Sequence, residues 1–247
     1  MCAISMQPTD SKQNTKDVSL LLLSEPREPR EPRAPLQKSS IDDSKSTHSS
    51  HRRRLCRVPW FLLQMSFVEI SLYLIANACM QRRLIFKPEL GHEYWRFFTY
   101  MLLHADLWHL WINICLQCFI GVYLEVEQGH WRLGVVYVTG GLCGGLANAS
   151  LQPGLSLLGA SAGVYAMLCS HVPHLVLNFS KLSHRTWRVA VLLSLFVSNA
   201  AYTIYHFCLN DNRNPRISLE AHLGGGVAGL ICGFLIYRRI SSETPNL

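Results

Sequence analysis

From Trp60 to Tyr237 the chain is a succession of apolar runs broken by short polar loops, whereas residues 1–57 are polar and rich in Ser, Pro, Arg and Lys. A helix crossing the apolar core of a bilayer takes about 20 residues. Six segments of that kind are predicted, near 60–80, 104–124, 131–149, 157–173, 187–208 and 217–237. The third and fourth are short and rich in Gly, Ala and Ser. Such helices suit the centre of a bundle, where small residues let backbones approach. The sixth carries Gly225, Gly229 and Gly233 at intervals of four, on one helical face. The predicted fold class is all-α: a polytopic membrane helix bundle of six transmembrane helices at 58–240. A disordered cytoplasmic tail (1–57) precedes it and a short cytoplasmic tail (241–247) follows.

Composition refines this picture. The tail contains "EPREPREPRAP" (25–35), in which proline at every third position blocks helix and sheet and favours an extended arm. The first residues lack the apolar core of a signal peptide, so the first membrane segment is expected to insert as an uncleaved signal-anchor. The net charge is +7, and part of the excess sits in "HRRRLCR" (51–57) beside the first apolar run. That placement reads as a topology signal with some attraction to anionic lipid. It does not read as a nucleic-acid site, since aromatic interleaving and a binding module are both missing. Nine cysteines are scattered, mostly within apolar runs. Cys115 and Cys118 form a lone C-x-x-C without a second pair or a histidine cluster, so no metal and no cofactor is expected.

With the basic tail inside, six spans return the C-terminus to the cytoplasm, which suits "YRRISSE" (237–243) and the basic connection "NFSKLSHRTWR" (178–188). The first lumenal loop, roughly 81–103, is long and amphipathic, with Trp and Tyr suited to the headgroup region. Two glycosylation sequons test the topology. Asn148 is expected to lie too close to the bilayer for modification, and Asn178 to face the cytoplasm.

Polar groups inside apolar spans are costly and mark function more often than in soluble proteins. Ser161 lies in "GASAGVYA" (159–166), a Gly-x-Ser-x-Gly motif. A lone membrane serine usually bonds a backbone carbonyl. Gly159 and Gly163, however, allow tight turns and close approach of a substrate chain, and N–H groups at a nearby helix N-terminus can hold an oxyanion. His222 lies in "EAHLGGGVAG", on the glycine face of the sixth span. A lone membrane histidine is more often structural than catalytic. Here the helix count brings the start of span four and the lumenal end of span six to one side, and a serine needs a base. His109 and Asn113, four apart, share a face of span two. His104, at that span's lumenal start, reads equally as a loop anchor. Tyr165 shares a face with Ser161 and is placed to pack beneath the His222 ring, or simply in the core. Glu69 has no evident partner and reads as structural. Glu125 is expected to bond the neighbouring loop. Glu220 points away from the face of His222, so a dyad fits better than a triad.

Taken together, "EYWRFFTYMLLHADLWHLWIN" (93–113), "GASAGVYA" and "AHLGGGVAG" (221–229) resemble the rhomboid family of intramembrane serine proteases, over about 58–240 and in the family's order. The resemblance is closest to the animal secretory-pathway branch, whose members shed membrane-tethered growth-factor precursors. It implies Ser161 as nucleophile and His222 as general base and acid. It also implies an oxyanion hole of Asn113, His109 and the Ser161 N–H, with Tyr165 supporting His222. Trp95 and Arg96 match the Trp-Arg pair of the family's first loop, and Gly225 and Gly229 the glycines that pack span six on span four. The implied partners are single-pass membrane substrates and the bilayer, in the Golgi or plasma membrane, with the N-terminus cytoplasmic. Oligomeric state is not implied. Two features depart from relatives. Many carry a seventh span, while this chain ends at Leu247. "DNRNPRISLEAH" (211–222) lacks the glycine and final Glu of a calcium loop. The alternatives are a catalytically inactive relative that binds and traffics transmembrane clients, and a transporter, for which an inverted repeat is missing.

Overall fold

Helix α1 (Trp60–Ile75) is followed by α2 (Ala78–Leu84), α3 (Arg96–Thr99), α4 (Leu107–Gln128), α5 (His130–Leu151), α6 (Ser161–Asn178), α7 (Arg185–Leu209) and α8 (Leu219–Ile236). These come from a computed structural model that describes residues 58–209, 211 and 217–240. The tails predicted at 1–57 and 241–247 lie outside the described residues. Among the described residues there is no strand, only an isolated bridge between Phe86 and Leu157. Helices α4, α5, α7 and α8 are long and apolar enough to cross a membrane. Helix α1 is shorter, at 16 residues. Helix α6 has 18 residues but is less apolar, because His171, His174 and Asn178 interrupt it.

Helix boundaries depart from the hydropathy pattern where a polar cap intervenes. The segment predicted at 60–80 stops at Ile75. Asn77 then accepts the Met80 N–H and starts a separate helix. The segment predicted from residue 104 begins at Leu107, because Asp106 accepts the His109 N–H, and it runs on to Gln128. His104 is therefore in the preceding loop and not in the span. The third segment, expected to be short, is a helix of 22 residues whose polar ends stay helical. The fourth starts at Ser161 and passes through Pro173 to Asn178.

Helix α6 is the buried centre, packed between α5 and α8. The contact is backbone on backbone. A Cβ added at Gly225 would overlap the Ala162 carbonyl, and one at Gly229 the Ala166 carbonyl. At Gly144 of α5 it would lie 2.7 Å from both the Ala162 methyl and the Ala221 carbonyl oxygen. Helix α7 is the opposite case, with only Leu192 and His206 buried.

Polar side chains tie the remaining elements. Glu125 accepts the N–H groups of Phe61 and Leu62 at 2.7 and 3.0 Å. It caps the start of α1 instead of bonding the neighbouring loop, which suits a carboxylate near unpaired N–H groups. Glu69, read from the sequence as partnerless, accepts from Gln117 Nε2 and Tyr137 OH, each at 3.0 Å. Those partners stand on α4 and α5, far away in sequence. Both sequon asparagines are buried and in use. Asn148 donates to Leu155 O, and Asn178 holds the chain after α8 through Arg238 O and Ile240 N.

The loop between α1 and α4 is anchored by its own donors. Arg96 is buried, pairs with Glu93 and donates to the carbonyls of Arg82 and Ile85. Trp95 is exposed and its indole donates to Arg83 O. The Tyr100 hydroxyl reaches Gly141 O at 2.8 Å.

Since the α6–α8 contact leaves no room for a methyl group, Gly229→Ala is expected to destabilise the bundle by about 3 kcal/mol, at the upper end of overpacking costs. Thermal unfolding in detergent measures it, and Val227→Ala, on an exposed site of the same helix, should change little.

Candidate active site

Ser161 is the first residue of α6, and His222 lies in the first turn of α8. Ser161 Oγ and His222 Nε2 are 2.9 Å apart. With Nε2 unprotonated the hydroxyl donates to it, the arrangement in which a base can take the serine proton. The Tyr165 ring stacks on the His222 ring, with centroids 4.2 Å apart and planes at 11°. Tyr165 OH in turn donates to Asn199 Oδ1 of α7 at 2.7 Å. No carboxylate is hydrogen-bonded to His222 among the described residues. Glu220 Oε2 instead lies 3.4 Å from Ser218 Oγ.

Two glycines shape the approach. Gly159 has φ +121°, a conformation that L side chains rarely adopt, and its N–H donates to Tyr100 O at 2.9 Å. A Cβ there would also stand 2.8 Å from His109 Cε1, so the His109 ring lies directly over this backbone. Gly163 lies against the Tyr137 ring, where a Cβ would be at 2.8 Å. The N–H groups of the first turn of α6, that of Ser161 included, point out of the helix end without intrahelical partners.

Helix α4 brings the other polar groups. Asn113 is buried, and its Nδ2 donates to His109 O at 2.9 Å, leaving its second N–H for another acceptor. His104 packs edge-on to His109 with centroids 5.1 Å apart. Both ring nitrogens of His104 and Nδ1 of His109 are buried without a hydrogen-bond partner among the described residues. Burial, and then the neighbouring His109, push the His104 imidazole down to about 3, so it is neutral near pH 7. Trp95 and Arg96 spend their hydrogen bonds on the α1–α4 loop. They shape that loop rather than contribute a donor beside Ser161. Cys115 is exposed and Cys118 sits 3.9 Å from Ser66 Oγ. No group of three metal-binding side chains occurs among the described residues.

Two residues escaped the sequence reading. Ser218 caps α8 by accepting the Ala221 N–H, and donates to Asn148 Oδ1 at 2.7 Å. Asn148 also donates to Leu155 O at 2.8 Å, in the stretch leading to Ser161. One buried amide thus positions the start of α8 and the approach to α6. The only local signals were a sequon and a serine before an apolar run, and neither points to the other.

A sequence model of the Rhomboid domain matches residues 91–239. The chain is 31% identical over 209 residues to Rhomboid-related protein 3 of Homo sapiens, covering 77% of this chain and 52% of that protein. It is 39% identical over 153 residues to Rhomboid-related protein 1 of Caenorhabditis elegans, covering 62% of this chain and 42% of the relative. Inactive rhomboid-related protein 2 of Caenorhabditis elegans is 32% identical over 146 residues, covering 59% and 41%. The chain thus spans about half the length, or less, of these relatives.

The His104 environment makes stability pH-dependent. An unfolded histidine takes up a proton near pH 6.5, and folded His104 only near 3. Its contribution is complete above pH 6.5 and declines as pH falls toward 3. Acidification from pH 7 to 5 should therefore cost about 2 kcal/mol through this residue. The Tm of His104→Gln in detergent should lack that part of the decline.

Proposed function

The chain belongs to the rhomboid family, and on that premise we propose that it is an intramembrane serine endopeptidase in which Ser161 attacks and His222 is the base. The observation that carries this reading is the 2.9 Å approach of Ser161 Oγ to His222 Nε2 with the Tyr165 ring stacked beneath the imidazole. Its apolar helices and its family make it a multi-pass membrane protein. In our reading α1, α4, α5, α6, α7 and α8 are the six spans. At 1.5 Å per residue the 16 residues of α1 reach about 24 Å and the 18 of α6 about 27 Å, close to the apolar thickness. In this reading six spans put residues 57 and 240 on one side, and the basic segments beside them favour the cytoplasmic face of a secretory-pathway membrane.

The reaction is acyl transfer. His222 Nε2 takes the hydroxyl proton as Ser161 Oγ adds to the scissile carbonyl. The oxyanion then accepts from the Ser161 N–H, from the free Asn113 N–H and from the His109 ring. His222 returns the proton to the leaving amine, and water, activated by the same ring, releases the acyl group. Without a carboxylate partner, the ring of Tyr165 is what holds the imidazole in register. The substrate is a single-pass membrane protein whose helix unwinds at the site, because a helical peptide bond is hydrogen-bonded and shielded. Growth-factor precursors, with release of the lumenal ectodomain, are the substrate class we favour.

A second reading has one observation in its favour, the inactive name of one relative: a client-binding protein that does not cut. The pairing of Ser161 with His222 supports the protease instead.

Co-expression with a type I growth-factor precursor separates the two. The parent chain should release the ectodomain, and Ser161→Ala or His222→Ala should not. Equal release from the parent and Ser161→Ala, or client capture without cleavage, refutes the protease reading. Asn113→Ala should retain cleavage but slow it by roughly 10²–10³-fold, the cost of one oxyanion donor.

A further inference from the structure

The support of His222 does not end at Tyr165. We infer that Asn199, on α7, is a positioning residue of the same site: its side-chain oxygen holds the Tyr165 hydroxyl, so the base is held in register only while α7 is docked. This rests on the protease reading above and extends it to a third helix.

The argument starts from the amide's orientation. Asn199 Nδ2 donates to Leu195 O at 2.9 Å, one turn back on its own helix. A carbonyl accepts only, so the NH₂ must face Leu195 and the oxygen must face Tyr165. Tyr165 OH then has to be the donor, at 2.7 Å. A phenol that donates a strong hydrogen bond carries more electron density in its ring. That ring lies parallel to the His222 imidazole at 4.2 Å. When His222 takes the Ser161 proton it becomes a cation above this face, and an aromatic face attracts a cation. The groups facing His222 are Ser161 and Tyr165 on α6 and His109 on α4, and the acidic group on its own helix, Glu220, lies by Ser218. None of these supplies a hydrogen-bonded carboxylate, so the polarised phenol stands where a triad would have its acid.

Asn199 itself is on the least embedded helix. The most apolar stretch of α7 is 11% buried, against 33–44% for α4, α5 and α8. The α7 side chains that grip the bundle through polar atoms include Asn199 and Arg188. Arg188 pairs with Glu127 of α4 at 3.3 Å and lies 3.9 Å above the Tyr123 ring. Along this face of α7, from Ser183 just before its start past Arg188 to Leu195, runs a cavity of about 340 Å³, lined also by Phe119, Leu168 and Leu175. A helix with so few buried side chains beside a cavity can shift locally, at Asn199 among other points. If the Asn199 end leaves, Tyr165 loses its acceptor and the imidazole loses its fixed support.

The test is a double-mutant cycle on the full-length chain in detergent, read by cleavage of a transmembrane peptide and by labelling of Ser161 with a fluorophosphonate. Asn199→Ala and Tyr165→Phe should each lower kcat roughly tenfold, the value of one strong hydrogen bond, with KM unchanged. The double variant should be no slower than either single one. Each should also move the acidic limb of the pH–rate profile to lower pH, which loss of helix packing alone would not do. Ser198→Ala, whose hydroxyl bonds only its own helix, should match the parent. If Asn199→Ala unfolds early, Tyr165→Phe removes the same bond with the ring kept, and its profile decides. Parent-like kinetics for Asn199→Ala, or equal further loss in the Tyr165→Phe background, overturns the coupling. A parent chain that neither labels at Ser161 nor cleaves overturns the protease reading itself, and the coupling with it.

Discussion

Gly225 and Gly229 bring the backbone of α8 against the carbonyls of Ala162 and Ala166 on α6, closer than any side chain would allow. Both helices are short of side-chain volume at this seam, so their separation is set by backbone atoms, which do not adjust. That rigidity is transmitted one turn up. Ala162 follows Ser161, and Gly225 lies three residues after His222, so the register of the glycines against the carbonyls is also the register of the hydroxyl against the imidazole. Without a driving force for hydrophobic burial between helices in lipid, close contact of this kind is the main source of helix association. Gly144 extends it to α5, which makes α5, α6 and α8 one unit.

Around that unit, polar side chains are each answered by another element. Glu69 is fully buried and receives hydrogen bonds from two neighbouring helices; Glu125 receives the N–H groups that α1 leaves unpaired. An unpaired polar group costs more in such surroundings than in water, so these contacts specify which helices are neighbours. Asn148 does most in this respect. With one amide it joins α5 to the cap of α8 and to the segment before α6, the two chain ends that carry His222 and Ser161.

Helix α7 stands apart from this economy of backbone contact. It is the longest of the described helices, and only Leu192 and His206 of it are buried. Its polar contacts with other helices fall at separate heights, Arg188 near its start on Glu127 and Tyr123 of α4, and Asn199 past its middle on Tyr165 of α6. The proposed substrate, a membrane helix, would reach the site sideways, and this arrangement suits it. The pairing of Ser161 with His222 is kept by α5, α6 and α8, while the least buried surface is left to α7.

Hydropathy and residue type alone were enough to read an all-helical membrane protein with Gly-x-Ser-x-Gly and a glycine-faced helix bearing a histidine, and the rhomboid family entered through the resemblance of three short motifs. Those features are local: a period of four, a run of apolar residues, a motif of five. Capping was less legible, because Asn77 and Asp106 break or begin helices inside segments whose mean hydropathy hardly changes. Glu69 read as partnerless, and Asn148, Ser218 and Asn199 did not read as parts of a site at all. The partners that join them to other elements lie between 34 and 70 residues away in the chain. Only the packing of the bundle decides which of these side chains meet, since a hydrogen bond between helices depends on rotation and depth, neither of which leaves a period in the sequence.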